Sequence, residues 1–252
     1  MDSIKLQEFT YKELKVIAQD MGLRIPRSKT EIIYEIVKAF KEYESYKKDK
    51  IDKYEKIEQI GEKGKEGTTY LVKTKDGKEY AMKTFRKSKS SATLQKEAEL
   101  QKLAADQGAS PNVVDIDTVS KYIVMERMDG HLLDKIKKQG CLTRTQQRQI
   151  INIYRSLDKA GVFHGDANLL NYMYKGDNIY IIDFGMAKEI TLGLTKRLGT
   201  DTPNMSIMTL GLSLKLKDMH VPISSYQYIV KYLTDDQREQ FGFNSILSKK
   251  GN

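Results

Sequence analysis

Cysteine is almost missing from this chain: Cys141 is the only one in 252 residues. A single thiol excludes a disulfide framework, and a reducing compartment is expected. Cys141 itself reads as a small packing residue. Histidine is nearly as scarce, with His131, His164 and His220 scattered along the sequence. One cysteine and three separated histidines exclude a Cys/His metal cluster. No apolar run reaches roughly 18 residues and no secretory leader is visible. The expectation is therefore a soluble, intracellular protein without a membrane partner, nuclear or cytoplasmic. There is no internal repeat and no low-complexity tract.

What the chain does have is apolar content and positive charge. It is 39% hydrophobic, enough to bury a core. Lys and Arg number 43 against 34 Asp and Glu, a formal net charge of +9. Residues 1–50 contain eleven of the cations and nine of the anions, net +2, so the rest carries +7. A basic balance favours anionic partners, whether nucleic acid, acidic protein segments or nucleotides.

Two short strings carry the chemistry. The first is His164-Gly165-Asp166-Ala167-Asn168-Leu169-Leu170-Asn171. The second, twelve residues beyond Asn171, is Asp183-Phe184-Gly185. An apolar run from Ile179 to Ile182 leads into Asp183, as a buried strand ending at a metal site should. Phosphoryl transfer from ATP needs a carboxylate to accept the hydroxyl proton and oxygen donors for Mg2+. Asp166 fits the first role, and Asn171 and Asp183 fit the second. Upstream, Asp76-Gly77 is a hairpin signal. Tyr80-Ala81-Met82-Lys83 reads as the strand that follows, with Lys83 as the lysine for the phosphates. Ser91 to Asp106 has helical period through Ala92, Leu94, Ala98, Leu100 and Leu103. It contains both Glu97 and Glu99, of which only one can face Lys83. Between Ile60 and Val72, Gly61, Gly64 and Gly67 could let a backbone approach phosphates.

Order and spacing of these pieces resemble the protein-kinase signature. Residues 54–252 resemble the eukaryotic-like protein-kinase superfamily, and within it the compact Bud32 and RIO type. The resemblance implies an α+β, two-lobed fold with a small β-rich lobe (54–129) and a reduced helical large lobe (130–252). It selects Glu97 as the partner of Lys83, because resembling kinases place that glutamate before a small residue. It also places adenine against Tyr122 to Gly130. There Met125 would guard the back of the pocket, and Glu126 and Met128 would present backbone groups. Ile60 and Ala81 would form the roof and Met173 the floor. Departures from ordinary protein kinases point to the compact type. Gly165 stands in place of an arginine that would pair with a phosphorylated loop. Asn168 stands in place of a lysine, the glycines are spaced Gly-x-x-Gly-x-x-Gly, and no Ala-Pro-Glu follows Asp183.

Residues 1–48 read as a separate helical module and linker. Thr10 and Glu13 form a capping box ahead of Leu14, Ile17 and Ala18, and Gly22 ends that helix. Ser28 or Thr30 opens a second helix with Ile32, Ile33, Ile36, Val37 and Phe40 inward. Glu42 to Lys53 is a charged linker or an extension of that helix. The pair resembles a SAP-type module, which implies binding of duplex DNA through Lys12, Lys15, Arg27 and Lys29. Packing on the kinase or on a protein partner is the alternative. In the large lobe, Thr143 and Gln146 form a capping box for a helix through Lys159, and Met205 to Leu216 reads as a core helix. The function expected is an ATP- and Mg2+-dependent protein Ser/Thr kinase, recruited to DNA by its first 45 residues. Two alternatives are a small-molecule kinase of the aminoglycoside or choline type and a DNA-tethered pseudokinase scaffold.

Overall fold

A computed structural model describes residues 3–51, 53–60 and 67–244. They divide into two units: the chain up to Lys56 with the turn Lys73–Lys78, and Ile57–Val72 with the chain from Glu79 onward.

In the first unit, α1 (Ser3–Leu6), α2 (Tyr11–Asp20) and α3 (Lys29–Ile51) surround a small core. Thr10 caps α2, and the reciprocal bond from its own N–H to the Glu13 carboxylate closes the capping box. The Ser28 hydroxyl accepts from the Glu31 N–H at 3.2 Å, so Ser28 opens α3. Leu6, Leu14, Ala18, Ile32 and Ile36 form the buried core, with Ile17, Ile33, Val37 and Phe40 packed against it. The helix α1 is an addition to the two helices expected. It is one turn long, too short to show a period, yet it supplies the fully buried Leu6. The charged stretch after Glu42 extends α3 without a break past residue 48.

The second unit has a sheet half and a helical half. Strands β1 (Glu55–Gln59), β2 (Gly67–Lys73), β3 (Glu79–Phe85), β4 (Val113–Asp117) and β5 (Tyr122–Glu126) form one sheet in the order β1-β2-β3-β5-β4. Strands β3 and β5 are antiparallel, with Ala81 opposite Met125 and Lys83 opposite Ile123. The helix α4 (Ser91–Asp106), capped by Ser90, lays Leu94 and Ala98 on this sheet. Its Leu100 and Ala104 enter the core of the helical half, so one helix serves both halves. Ala92 and Leu103, read as inward, are exposed. The helix turns Gln101 inward as well, and this buried amide donates to the Pro111 carbonyl.

The helical half contains β6 (Gly130–His131), α5 (Leu132–Gln139) and α6 (Arg144–Lys159), then β7 (Val162–Phe163). The hairpin β8 (Tyr172–Lys175) and β9 (Asn178–Ile181) follows, then β10 (Lys188–Glu189) and α7 (Leu192–Leu198). A π turn at Asn204–Met208 leads into α8 (Thr209–Asp218), and α9 (Gln227–Val230) and α10 (Asp235–Gln240) complete the half. The capping box at Thr143 and Gln146 is present. Ile150, Ile153, Tyr154 and Leu157 of α6 pack with Met208, Leu212 and Leu216 in one core. Beneath the first chemical string, the buried hydroxyls of Tyr154 and Tyr172 lie 2.5 Å apart. Burial, the largest influence on each, raises both phenols above their ordinary value, so both stay protonated. Among the described residues no helix is long and apolar enough to cross a membrane.

Candidate active site

The site lies where the β3 lysine meets the turns after β7 and β9. Lys83 Nζ donates to Glu97 Oε1 at 2.8 Å and to Asp183 Oδ1 at 2.7 Å. Glu97 is 4% exposed, and its second oxygen accepts from Lys89 Nζ. Glu99 instead accepts from Gln95 on an outward face of α4. Burial pulls the Lys83 ammonium down, but the charges of Glu97 and Asp183 outweigh it and raise it above its ordinary value. Partial burial pushes the Asp183 carboxyl up. Charge and hydrogen bond from Lys83, with the Gly185 N–H, outweigh that and hold it below the usual range. An ammonium has three donors, so Lys83 keeps one that Glu97 and Asp183 do not engage.

Asp183 adopts φ +67, in the left-handed region. Such strain in a non-glycine residue persists where surrounding contacts dictate it, commonly at functional turns. Here the Gly185 N–H bonds back to the carboxylate and Phe184 is buried against His164, ring centroids 5.0 Å apart. The Ile182 N–H donates to the Asn171 carbonyl at 2.9 Å, tying the start of the second string to the end of the first.

Asp166 is held at both oxygens. Oδ1 accepts from the Asn168 N–H at 3.0 Å and Oδ2 from Asn171 Nδ2 at 2.9 Å. His164 is fully buried; Nε2 bonds the Ile182 carbonyl and Nδ1 faces the Asp166 N–H. Burial holds its imidazole below the ordinary value despite these contacts and the nearby carboxylates, so it is neutral. Gly165 has φ +78. A side chain there would be strained, which accounts physically for the missing arginine.

A partner of this loop escaped the sequence reading. Asn204, fully buried in the π turn, accepts from the His164 N–H through Oδ1 at 3.0 Å. Its Nδ2 donates to the Val162 carbonyl and to Asp158 Oδ1, both at 2.7 Å. Asp158 also accepts from the N–H groups of Asn204 and Met205. Burial dominates its titration and raises its carboxyl despite those donors. The two residues are 46 positions apart, and no local spacing announces the pair.

Beside Lys83 opens a largely apolar cleft. Ile60, Ala81, Met125, Glu126, Met128 and Met173 line it together with Lys83 and Asp183. Thr69, Pro111, His131 and Ile182 also line it and were not anticipated. Gln101 Nε2 approaches Met125 Sδ at 3.5 Å and fixes that side chain from behind. Gly61 and Gly64 lie outside the described residues. Gly67 sits in β2, and a Cβ there would lie 1.9 Å from the Thr84 carbonyl oxygen. Close approach of two strands is thus enough to require glycine at this position.

The oxygens suit Mg2+. Asp183 Oδ2 and Asn171 Oδ1 accept no hydrogen bond from the described residues. Among those residues there is no cluster of three His, Cys, Asp or Glu. Two hard oxygen donors with phosphate and water completing the shell is the way proteins usually hold Mg2+.

In the first unit, Lys12 and Arg27 are exposed. Lys15 lies over the Tyr11 ring at 5.0 Å. Lys29 Nζ donates to the Gln7 carbonyl at 2.8 Å, so it caps the end of α1.

Residues 54–204 match the protein kinase domain family model. A "Probable serine/threonine-protein kinase BUD32 homolog" of Archaeoglobus fulgidus is 27% identical over 117 residues, 46% of this chain and 57% of that protein. A "KEOPS complex subunit Bud32" of Pyrococcus abyssi is 34% identical over 100 residues, 37% of this chain and 44% of its own length. A "Probable bifunctional tRNA threonylcarbamoyladenosine biosynthesis protein" of Methanocorpusculum labreanum is 33% identical over 90 residues, 34% of this chain and 15% of that protein. The chain thus spans about half the length of the first two and a small part of the third.

Proposed function

The chain belongs to the protein kinase family, and we propose that its cleft transfers the γ-phosphate of ATP to Ser or Thr hydroxyls of a protein. One observation carries the reading: Lys83 bridges Glu97 and Asp183 at the mouth of an apolar cleft. In this reading adenine enters between Ile60 and Ala81 above and Met173 below, beside the backbone of Glu126 and Met128. Lys83 binds phosphate oxygens through its remaining donor, and Glu97, held also by Lys89, keeps the ammonium in place. Asn171 and Asp183 would hold Mg2+, which neutralises phosphate charge. Asp166 accepts the proton of the attacking hydroxyl, with Asn168 and Asn171 fixing its orientation. Positioning and charge neutralisation supply most of the catalysis in this class of reaction.

The test is transfer of labelled γ-phosphate to generic proteins with Mg2+, using wild type and Asp183→Asn. The wild type is expected to transfer label, and the variant to lose at least a hundredfold while still unfolding in a single cooperative transition. Wild-type turnover in the folded variant would remove Asp183 from the mechanism.

Recruitment to duplex DNA by the first unit is part of the same proposal. Lys12, Lys15, Arg27 and Lys29 would contact phosphates. Lys12 and Arg27 are the better placed, since Lys29 also caps α1. Four contacts give a salt slope of about −3.6 in log affinity against log salt. Replacing Lys12 and Arg27 with Gln in the full chain should reduce it by about 1.8 units. An unchanged slope would leave this unit as a packing or protein-binding module.

A further inference from the structure

Along one edge of α6 stand Arg144, Arg148 and Arg155, all exposed, with the fully buried Ile151 on the same stripe between the last two. At about 100° per residue they fall within an arc of roughly 40°, spread over about 16 Å of helix. The opposite side carries the buried Ile150, Ile153, Tyr154 and Leu157. Two tyrosines from the segment of α9 face the row. The Arg144 guanidinium lies 4.2 Å from the Tyr228 ring centre and that of Arg148 at 6.0 Å. The Arg155 guanidinium lies 5.2 Å from the Tyr232 ring centre and donates to its hydroxyl at 3.2 Å. Lys231 Nζ is 4.3 Å from the centre of Tyr228 and 5.4 Å from that of Tyr232. The two hydroxyls bond each other at 2.9 Å.

This arrangement is built into the core. The buried Gln147 accepts from the Tyr228 N–H at 2.9 Å and donates to the Ser225 carbonyl at 2.8 Å, fastening the tyrosine segment to α6. None of the four cations has a carboxylate partner among the described residues. The one acidic residue of α6, Asp158, is turned inward to Asn204, and Asp235 near the end of the tyrosine segment pairs with Arg238. Four like charges drawn together without counter-ions repel. An ordinary solvated face would spread such side chains into water. Here each of the four lies within 6.0 Å of a tyrosine ring centre, which favours positions beside the rings and lessens the side-chain freedom lost when an anion arrives.

From this row we infer that this edge of α6 docks the phosphodiester backbone of a double-helical nucleic acid. A row of about 16 Å matches the rise of about five base pairs at 3.4 Å each. The ring faces are already occupied by cations, so the surface offers no platform for stacking unpaired bases. Recognition is through charge and does not read sequence. The site is independent of phosphoryl transfer and lies on a different unit from Lys12 and Arg27.

The test is a salt titration of the full chain on two unrelated duplexes, with Kd and slope measured for three proteins. These are wild type, Arg144→Gln/Arg148→Gln/Arg155→Gln, and a charge-matched control, Lys87→Gln/Lys102→Gln/Lys137→Gln, changed at exposed sites away from the row. Any contribution of the first unit is common to all three. Loss of three phosphate contacts is expected to reduce the slope by about 2.7 units and to weaken binding on the order of a hundredfold at 0.1 M salt. The control should stay within about half a unit of wild type. If the triple variant melts early, Arg148→Gln and Lys231→Gln alone should each remove about 0.9 unit. Unchanged slope and Kd in the row variants would overturn the proposal. So would tighter binding of single strands than of duplex, or preferential row-dependent binding of polyglutamate, which would mark a protein-docking face.

Discussion

Removing the Asn204 side chain should loosen the catalytic loop from below. In Asn204→Ala, the Val162 carbonyl loses its donor and the His164 N–H loses its acceptor, at a position with 0% exposure. Each buried backbone group left without a partner costs about 1–3 kcal/mol, and the lost bond to the Asp158 carboxylate is of the stronger charged kind. Water entering the vacated space recovers part of this. A net loss of about 3–5 kcal/mol is expected, a large share of the 5–15 kcal/mol typical of a folded domain. Urea denaturation should show a lower midpoint with an unchanged slope. The apolar cleft is built on other strands, so KM for ATP should hold while kcat falls. Asn204→Asp separates charge from shape. It sets a second carboxylate against Asp158, whose carboxyl is already raised by burial. A carboxyl raised further in the folded state destabilises above its folded pKa, and the penalty lifts as pH falls through it. The Asp variant should therefore be less stable than wild type at pH 8 and recover toward it near pH 5. A loss under about 1 kcal/mol in Asn204→Ala with full turnover would refute the clamp.

Lys83 and Asp183 predict two pH limbs. The lowered carboxyl of Asp183 stabilises above its ordinary value of 3.8, and the effect is lost as pH falls through the lower folded value. The raised ammonium of Lys83 stabilises below its ordinary value of 10.5, and the effect is lost as pH rises through the higher folded value. Chemical denaturation of Lys83→Met should remove the alkaline limb and, with burial left as the largest influence on Asp183, weaken or reverse the acid one; persistence of both limbs would contradict the pairing. Gly67→Ala should destabilise by about 1–3 kcal/mol as β2 and β3 are forced apart, read from thermal melting, and an unchanged melt would refute the clash. Because Gly165 offers no phosphate partner, phosphatase treatment should leave transfer unchanged; a several-fold loss restored by an upstream kinase would count against this.

Much of the chain could be read from its sequence because the relevant signals are local. A capping box is a pair of bonds across three residues, so Arg144–Lys159 begins where Thr143 and Gln146 say, and Ser91–Asp106 follows its apolar period and stops short of Gly108. The two chemical strings place Asp166, Asn171 and Asp183 on neighbouring turns because their spacing spans one hairpin, β8 and β9. The choice of Glu97 over Glu99 came from resemblance; only packing turned α4 so that Glu97 is buried and Leu103 exposed. The one-turn helix α1 was invisible because a period needs more than four residues. The cap that Lys29 places on it joins residues 22 apart. The spacing of Gly67 suggests a phosphate loop, and the tertiary structure adds a second reason for glycine there, the Thr84 carbonyl packed against it. Asp158 and Asn204, and the arginines of α6 with Tyr228 and Tyr232, meet across 46 and up to 84 positions, as Arg144 and Tyr228 show. Side chains that far apart meet only when the core has closed, because burial of apolar surface, and not any local bond, brings their elements together.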